Sequence, residues 1–159
     1  MTVTIREFTR SDSVQLIALV RELQGHEAQF FDRMKAPDEI GAWYLHNLQK
    51  ACATHDGVIL VADQGEAIVG YAVLLTAVTS EDMPEDVDSI YALVMDLAVA
   101  GQVRRKGIGT KLLEACERRA REAGVRWLRI SALAENHDAI ATYEKFGFKN
   151  HLLTMEKPL

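Results

Sequence analysis

The sequence predicts a mixed α/β (α+β) domain, with helices on both faces of a twisted, mostly antiparallel sheet that contains one parallel β-α-β crossover. Three observations carry this reading. Apolar residues recur with period two or period 3.6 in the order β α α β β β α β α β. Two β-rich runs, Val58 to Ala62 and Ala67 to Thr76, are separated only by Asp63, Gln64, Gly65 and Glu66, which is hairpin spacing. Between Ile90 and Ala132 a strand, a helix and another strand form a crossover unit, so those two strands lie parallel. No repeat, low-complexity tract or linker interrupts the chain, and residues 1–159 read as one domain.

Val3 to Phe8 alternates apolar and polar and reads as a strand. Asp12 with Gln15 resembles a capping box, and Val14, Ile17, Val20 and Leu23 keep helical spacing until Gly25 stops the run. Pro37, Asp38 and Glu39 mark a second helix start, because proline suits the first helical position and carboxylates suit the positive end of the dipole. Ile40, Trp43, Tyr44 and Leu48 give that helix its apolar side. The stretch from Glu81 to Asp88 is an acidic, proline-bearing connector before the apolar strand Ile90 to Val99. From Gly107 to Ala123 the pattern is helical, with Ile108, Leu112, Ala115, Cys116 and Ala120 on one face. Glu114 with Arg118 and Glu117 with Arg121 stand four apart in the favourable order, and Gly124 is the stop. Trp127 to Ala132 reads as a strand, Asn136 to Phe146 as a helix ended by Gly147, and Phe148 to Glu156 as a last strand.

Composition narrows the class. With 18 basic and 23 acidic side chains the net charge is −5, and 48% of the residues are hydrophobic, as in an ordinary globular domain. At 159 residues the chain buries enough surface for a core without staples. Two cysteines and no export-type start point to the reducing cytoplasm, and no apolar run approaches the ~20 residues of a membrane span. Charge is uneven: residues 101–130 hold nine basic and three acidic side chains, an excess of six, which leaves the remainder at −11. A basic segment in an acidic chain suggests a small anionic ligand held locally, whereas a nucleic-acid surface pushes a whole domain basic. Arg118, Arg119 and Arg121 read as a solvated helix face.

Leu97 to Thr110 joins the end of a buried strand to a helix through Arg104, Arg105, Lys106, Gly107, Ile108 and Gly109. A strand, a basic glycine-bearing loop and a helix start together present backbone N–H groups and a helix dipole to a phosphate. Neither a dinucleotide fingerprint nor a nucleotide-triphosphate loop fits, because no third glycine follows Gly109 at the right spacing and Lys106 precedes its glycine. Further on, Asn136 suits an N-cap, and Tyr143 lies seven residues later on the same side of the helix. Taken alone, that tyrosine reads as a packing residue beside Ile140 and Phe146.

Together, Leu97-Ala98-Val99, Arg104-x-x-Gly107-x-Gly109 and Asn136-x-x-Ala139-x-x-x-Tyr143-x-x-x-Gly147-Phe148 closely resemble the acyl-CoA-binding motifs of the GNAT superfamily of N-acetyltransferases. The resemblance spans about Tyr91 to Phe148, and the N-terminal half matches only in layout. It implies an acetyl-CoA-dependent enzyme, with residues 1–89 as the acceptor-site half and 90–159 as the acetyl-CoA-binding half. It implies that Leu97, Ala98 and Val99 line the acetyl and pantetheine arm through main-chain groups. Arg104, Arg105, Lys106, Gly107, Ile108, Gly109 and Thr110 then cradle the pyrophosphate, Asn136 holds the pantetheine, and Tyr143 protonates the leaving thiolate. No metal is implied. Strands that splay after the crossover would leave N–H groups free for the pantetheine amides, so the cofactor would behave as an inserted strand.

Asp96 stands inside an apolar strand, where an ionised carboxylate is costly unless it is paired or faces a cleft. It is either the base or amine anchor, or a structurally paired carboxylate. Some family members carry a glutamate on the strand before the asparagine motif, whereas Ser131 is the nearest equivalent here. Glu135, His137, His26 and Glu27 are fallback bases. Acceptor choice is assigned to Gln24–Tyr44 and the acidic loop near Met83, where acids and aromatics could seat a cation, although Phe30, Trp43 and Tyr44 also read as core. The expected partner is a small-molecule or peptide amine, without nucleic acid or membrane. A homodimer through the last strand or an N-terminal helix is compatible with the sequence. The rival reading is a CoA-binding sensor or regulatory module without turnover.

Overall fold

The computed structural model describes residues 2–81, 83 and 85–159, so Asp82 and Pro84 of the acidic loop lie outside it. Strand β1 (Thr4–Glu7) is followed by helices α1 (Ser13–Glu27) and α2 (Ala42–Thr54). Then come β2 (Val58–Asp63), β3 (Ile68–Thr79), β4 (Ile90–Val99), α3 (Ile108–Glu122), β5 (Leu128–Ile130) and α4 (His137–Phe146). The sheet runs β1-β2-β3-β4-β5, antiparallel throughout except for the parallel β4–β5 pair that the crossover requires.

One face is covered by α1 and α2, whose Leu16, Leu19, Val20, Leu45 and Leu48 pack on Val61, Tyr71, Val73 and Leu75. The other carries α3, and all five residues read as its apolar face are buried there with Leu113. β3 sits between these layers, which is why its sequence is a nearly unbroken apolar run instead of an alternating one. Gly70 lets the layers close up: a Cβ there would stand 2.9 Å from the Ala98 carbonyl oxygen and 3.3 Å from Leu112 Cδ1. No described helix is long and apolar enough to cross a membrane.

Several expectations are corrected. The strand expected over Phe148–Glu156 is not formed; residues 149–159 are exposed and belong to no regular element. The strand read as Trp127–Ala132 shrinks to Leu128–Ile130. Helix α1 continues through Gly25 to Glu27, because its last turns pack on the core and outweigh one glycine. Asp12 does not pair with Gln15 in a capping box. Its carboxylate accepts the Thr9 N–H at 2.7 Å and both ends of the Arg6 guanidinium, while Gln15 Oε1 accepts the Ile68 N–H at 2.8 Å. Pro37 opens only a single 3-10 turn, and α2 starts after Gly41. Of the two ion pairs expected on α3, Glu117–Arg121 forms at 3.0 Å and Glu114–Arg118 does not, while Arg119, read as part of a solvated face, pairs with Glu7. The acidic connector is also more than a solvated link, since Asp88 Oδ2 accepts from Arg126 at 3.1 Å and from the Trp127 indole at 3.2 Å.

Strand β4 carries the feature that positions the site. Asp96 pairs with Val73 and Val94 pairs with Leu74, so Met95 has no partner and forms a β-bulge. The extra residue reverses the alternation. Ala92 and Val94 before it and Leu97 and Val99 after it all face α3, while Asp96 bonds tyrosines of α2 and β3 and Ala98 packs on the α1 and α2 side.

Candidate active site

β4 and β5 pair at Ala92–Leu128, Leu93–Arg129 and Val94–Ile130, and among the described residues the edge of β4 that faces away from β3 has no strand beside it beyond Val94. The Ala100 N–H donates to the Val69 carbonyl at 2.8 Å. By strand alternation, Ala98 and Ala100 therefore turn their main-chain groups to β3, and Leu97 and Val99 turn theirs to the open side. The Val99 carbonyl on that side accepts a hydrogen bond from Arg104 Nε at 3.0 Å. Of the three residues singled out on this strand, two thus offer polar main chain to the gap, and Ala98 commits its own to the sheet.

The loop that follows is held in an unusual conformation. Arg105 has φ +62° and Gly107, the N-cap of α3, has φ +80°. An arginine in the left-handed region costs on the order of 1 kcal/mol, which the surroundings must supply. From Arg105 to Thr110 none of the backbone N–H groups has a protein acceptor among the described residues. Ile108 is buried and anchors the helix start, while Arg104, Arg105, Lys106 and Thr110 extend into solvent. Glu22 on α1 was missed in the sequence because it stands on an exposed helix face. Its Oε1 accepts the Gly101 N–H at 2.6 Å and lies 3.8 Å from Arg104 Nη2, so α1 holds the near end of the loop.

Two side chains come from α4 and its cap. Asn136 is buried, and its Oδ1 accepts the Ala139 N–H at 3.3 Å as the sequence predicts for an N-cap; its amide nitrogen has no protein partner among the described residues. Tyr143 is half-buried, its ring edge-on to Phe148 at 6.1 Å, and its hydroxyl is likewise unpartnered among the described residues. Burial pushes its phenol up to about 12, with the charges of Glu27 and Asp96 adding to the effect.

Those carboxylates belong to a cluster that gathers at the bulge from the other face. Asp96 Oδ2 accepts the Tyr44 hydroxyl at 2.9 Å and the Tyr71 hydroxyl at 3.1 Å. Burial raises the Asp96 carboxyl above the usual carboxylate range, and the two phenols oppose that rise. Glu27, at the end of α1, is raised by burial and then by the Asp96 charge. Both tyrosines are held well above the ordinary phenol range, first by burial and then by Asp96. Tyr44, read as core, is thus part packing and part polar support, whereas Trp43 is largely exposed. Tyr71 was missed because nothing separates it from the apolar residues of β3. Of the other fallback bases, Glu135 and His137 are exposed and lie 3.5 Å from each other, and His26 packs edge-on to Phe30. Ser131 is exposed.

The arrangement has a definite chemical capacity. It combines an open strand edge, a run of free N–H groups at a helix start, a phenol whose proton is tightly held, and two carboxylates reluctant to ionise. Such a set can bind an extended anionic ligand, deliver a proton to a leaving group and receive one from a nucleophile. The loop suits a diphosphate in particular, because Gly107 occupies a conformation that an L side chain resists and a Cβ there would project into open space.

Several known proteins share this fold. The Acetyltransferase (GNAT) family model matches residues 18–148. A Bacillus subtilis (strain 168) protein, named as the uncharacterized N-acetyltransferase YhfO, is 28% identical over 145 residues, covering 91% of this chain and 89% of its own. Among solved structures, one described as a transcriptional regulator from Bacillus halodurans C-125 superposes with a TM-score of 0.76 at 23% identity, over 99% of this chain and 100% of that one. AAC(6')-Iy, solved with the bisubstrate analog CoA-S-monomethyl-acetylneamine, superposes with a TM-score of 0.72 at 14% identity over the full length of both chains. At these identities the two structures establish the shared fold.

Proposed function

The chain belongs to the GNAT family of acetyltransferases, and from that premise we propose that it transfers an acetyl group directly from acetyl-CoA to a primary amine. The observation that carries this reading is the divergence of β4 and β5 after Val94 and Ile130, which turns main-chain groups of Leu97 and Val99 to the gap beside an N–H run, Arg105–Thr110, that has no acceptor among the described residues. Residues 90–159 serve the coenzyme and 1–89 the acceptor.

In this reading Leu97 and Val99 bond the pantetheine amides as a neighbouring strand would, and the Asn136 amide nitrogen donates to the same arm. The backbone from Arg105 to Thr110 receives the diphosphate, with Arg104, Arg105 and Lys106 adding charge. Acetyl-CoA, when bound, supplies an acyl carbon activated as a thioester. Tyr143 donates its phenolic proton to the departing sulfur as the carbon–sulfur bond breaks; a phenol held near 12 stays protonated throughout the neutral range and so is in the donating form when the thiolate leaves. Asp96, steadied by Tyr44 and Tyr71, takes up the proton of the amine or anchors it as an ammonium, and Glu27 adds a second negative charge nearby. A small-molecule or peptide amine carrying positive charge fits that acidic side best. The free thiols of Cys52 and Cys116 suit a reducing cytoplasm.

The alternative, a CoA-binding regulatory module, is favoured by the name of the Bacillus halodurans structure. Tyr143 is idle in that reading. Calorimetry with acetyl-CoA and thiol release across a panel of amines separate the two. Tight binding with amine-dependent release of CoA supports the enzyme, binding without release on any amine supports the module, and absence of binding defeats both.

A further inference from the structure

Arg104 has two partners, and both draw it back along β4 instead of forward over the loop. Its Nε donates to the Val99 carbonyl at 3.0 Å, and its Nη2 lies 3.8 Å from Glu22 Oε1 on α1. The same Glu22 oxygen accepts the Gly101 N–H at 2.6 Å, so the carboxylate that faces Arg104 is itself fixed by the start of the loop. Val99 turns its main-chain groups to the gap beside β4. An extended ligand that joins this edge as a strand runs about 4.8 Å away and brings its own donor to the Val99 carbonyl. A carbonyl oxygen can accept twice, but at strand spacing the ligand's backbone and the guanidinium claim the same side of it.

We propose that Arg104 determines specificity for the acyl donor: it holds the Val99 position against pantetheine thioesters that lack a diphosphate, and it leaves Val99 and Glu22 for the diphosphate when a coenzyme A thioester enters. A guanidinium meets phosphate oxygens through paired, charge-assisted N–H bonds. These outweigh one bond to a neutral carbonyl and one contact with an exposed carboxylate. Only a ligand that brings phosphate therefore offsets the loss of both partners. The side chain selects the coenzyme without touching the reacting atoms. The inference rests on the acetyl-CoA reading of the β4 edge and goes beyond it by giving one arginine two alternative partners.

Two ligands test it: acetyl-CoA, followed by calorimetry, and S-acetylpantetheine, which carries no phosphate and no charge, followed by NMR chemical shifts into the millimolar range. Arg104→Ala should bind S-acetylpantetheine roughly fivefold more tightly than the parent, the worth of one hydrogen bond, and acetyl-CoA roughly tenfold more weakly. Glu22→Gln keeps an oxygen for the Gly101 N–H and removes the charge that holds Arg104, so it should raise S-acetylpantetheine affinity about two- to threefold with Arg104 itself untouched. An arginine that only adds charge for the diphosphate weakens acetyl-CoA binding in Arg104→Ala and leaves S-acetylpantetheine unchanged. One that only braces the loop weakens both. Either result overturns the proposal while the acetyl-CoA site stands. A parent chain without affinity for acetyl-CoA defeats the site reading and the proposal with it.

Discussion

The Tyr44 hydroxyl donates to Asp96 Oδ2 at 2.9 Å, and that one bond fastens α2 to the bulged strand at the centre of the candidate site. Tyr71 donates to the same oxygen, so the carboxylate keeps half its support if Tyr44 is lost. Tyr44→Phe should therefore leave a folded enzyme whose Asp96 is harder to ionise. Because activity needs the carboxylate, the acidic limb of the kcat/KM profile should move to higher pH in Tyr44→Phe and disappear in Asp96→Asn, with activity at neutral pH down about 100-fold in the latter. A limb that survives Asp96→Asn assigns the titration to another group.

Tyr143→Phe keeps the ring against Phe148 and removes only the hydroxyl. Turnover should fall roughly 100-fold or more while acetyl-CoA affinity stays within about threefold, a split that stopped-flow thiol release and calorimetry resolve. Equal losses in both would show that the residue acts through packing.

Gly107 sits at φ +80° with no neighbour within 4 Å of a built Cβ. Gly107→Ala meets only backbone strain, of about 1 kcal/mol, and should weaken acetyl-CoA binding modestly. Gly107→Glu adds a carboxylate facing the diphosphate and should raise Kd by roughly 100-fold or more. Similar affinities for the two variants would place the diphosphate elsewhere.

Asp12 takes both ends of the Arg6 guanidinium and the Thr9 N–H, which hold its carboxyl well below the ordinary carboxylate range. Its stabilisation is complete above the unfolded-state value near 4 and is lost as pH falls through the lower folded value. Asp12→Asn should cost about 2 kcal/mol at pH 7, or roughly 4–8 °C in Tm, and the difference from the parent should shrink on acidification. A gap independent of pH would mean that the ion pair is not its source.

Glu27 has the opposite sign. Burial and the nearby Asp96 raise its carboxyl, so ionisation is easier in the unfolded chain, and the stability available below the unfolded value is lost as pH rises through the folded one. Glu27→Gln should raise Tm at pH 7–8 and change it little near pH 4, while reducing turnover on a cationic amine. Thermal scans at the two pH values decide it.

The basic loop, the α3 face and the Asn136 cap were legible in the sequence because each rests on local chemistry: glycine where φ is positive, apolar residues at helical spacing, an amide before a helix start. What escaped depends on pairing between distant segments. The Met95 bulge exists only as a register between β3 and β4, and Glu22 matters only because α1 passes the loop start. Tyr71 hides among apolar neighbours, and its role appears only when Asp96 is turned toward it. The missing last strand follows the same rule, since β character in 148–156 cannot specify which edge it joins.

The unpaired Met95 also bears on how this strand tolerates length change. Removing that single codon would set Asp96 directly after Val94, restore regular pairing and leave every downstream side chain on its present face. Keeping Met95 but pairing it regularly opposite Val73 would instead drive the Asp96 carboxylate under α3, away from Tyr44 and Tyr71, and Leu97 and Val99 would exchange sides with Ala98. The bulge thus absorbs one extra residue while every side chain after it keeps the face that the site requires.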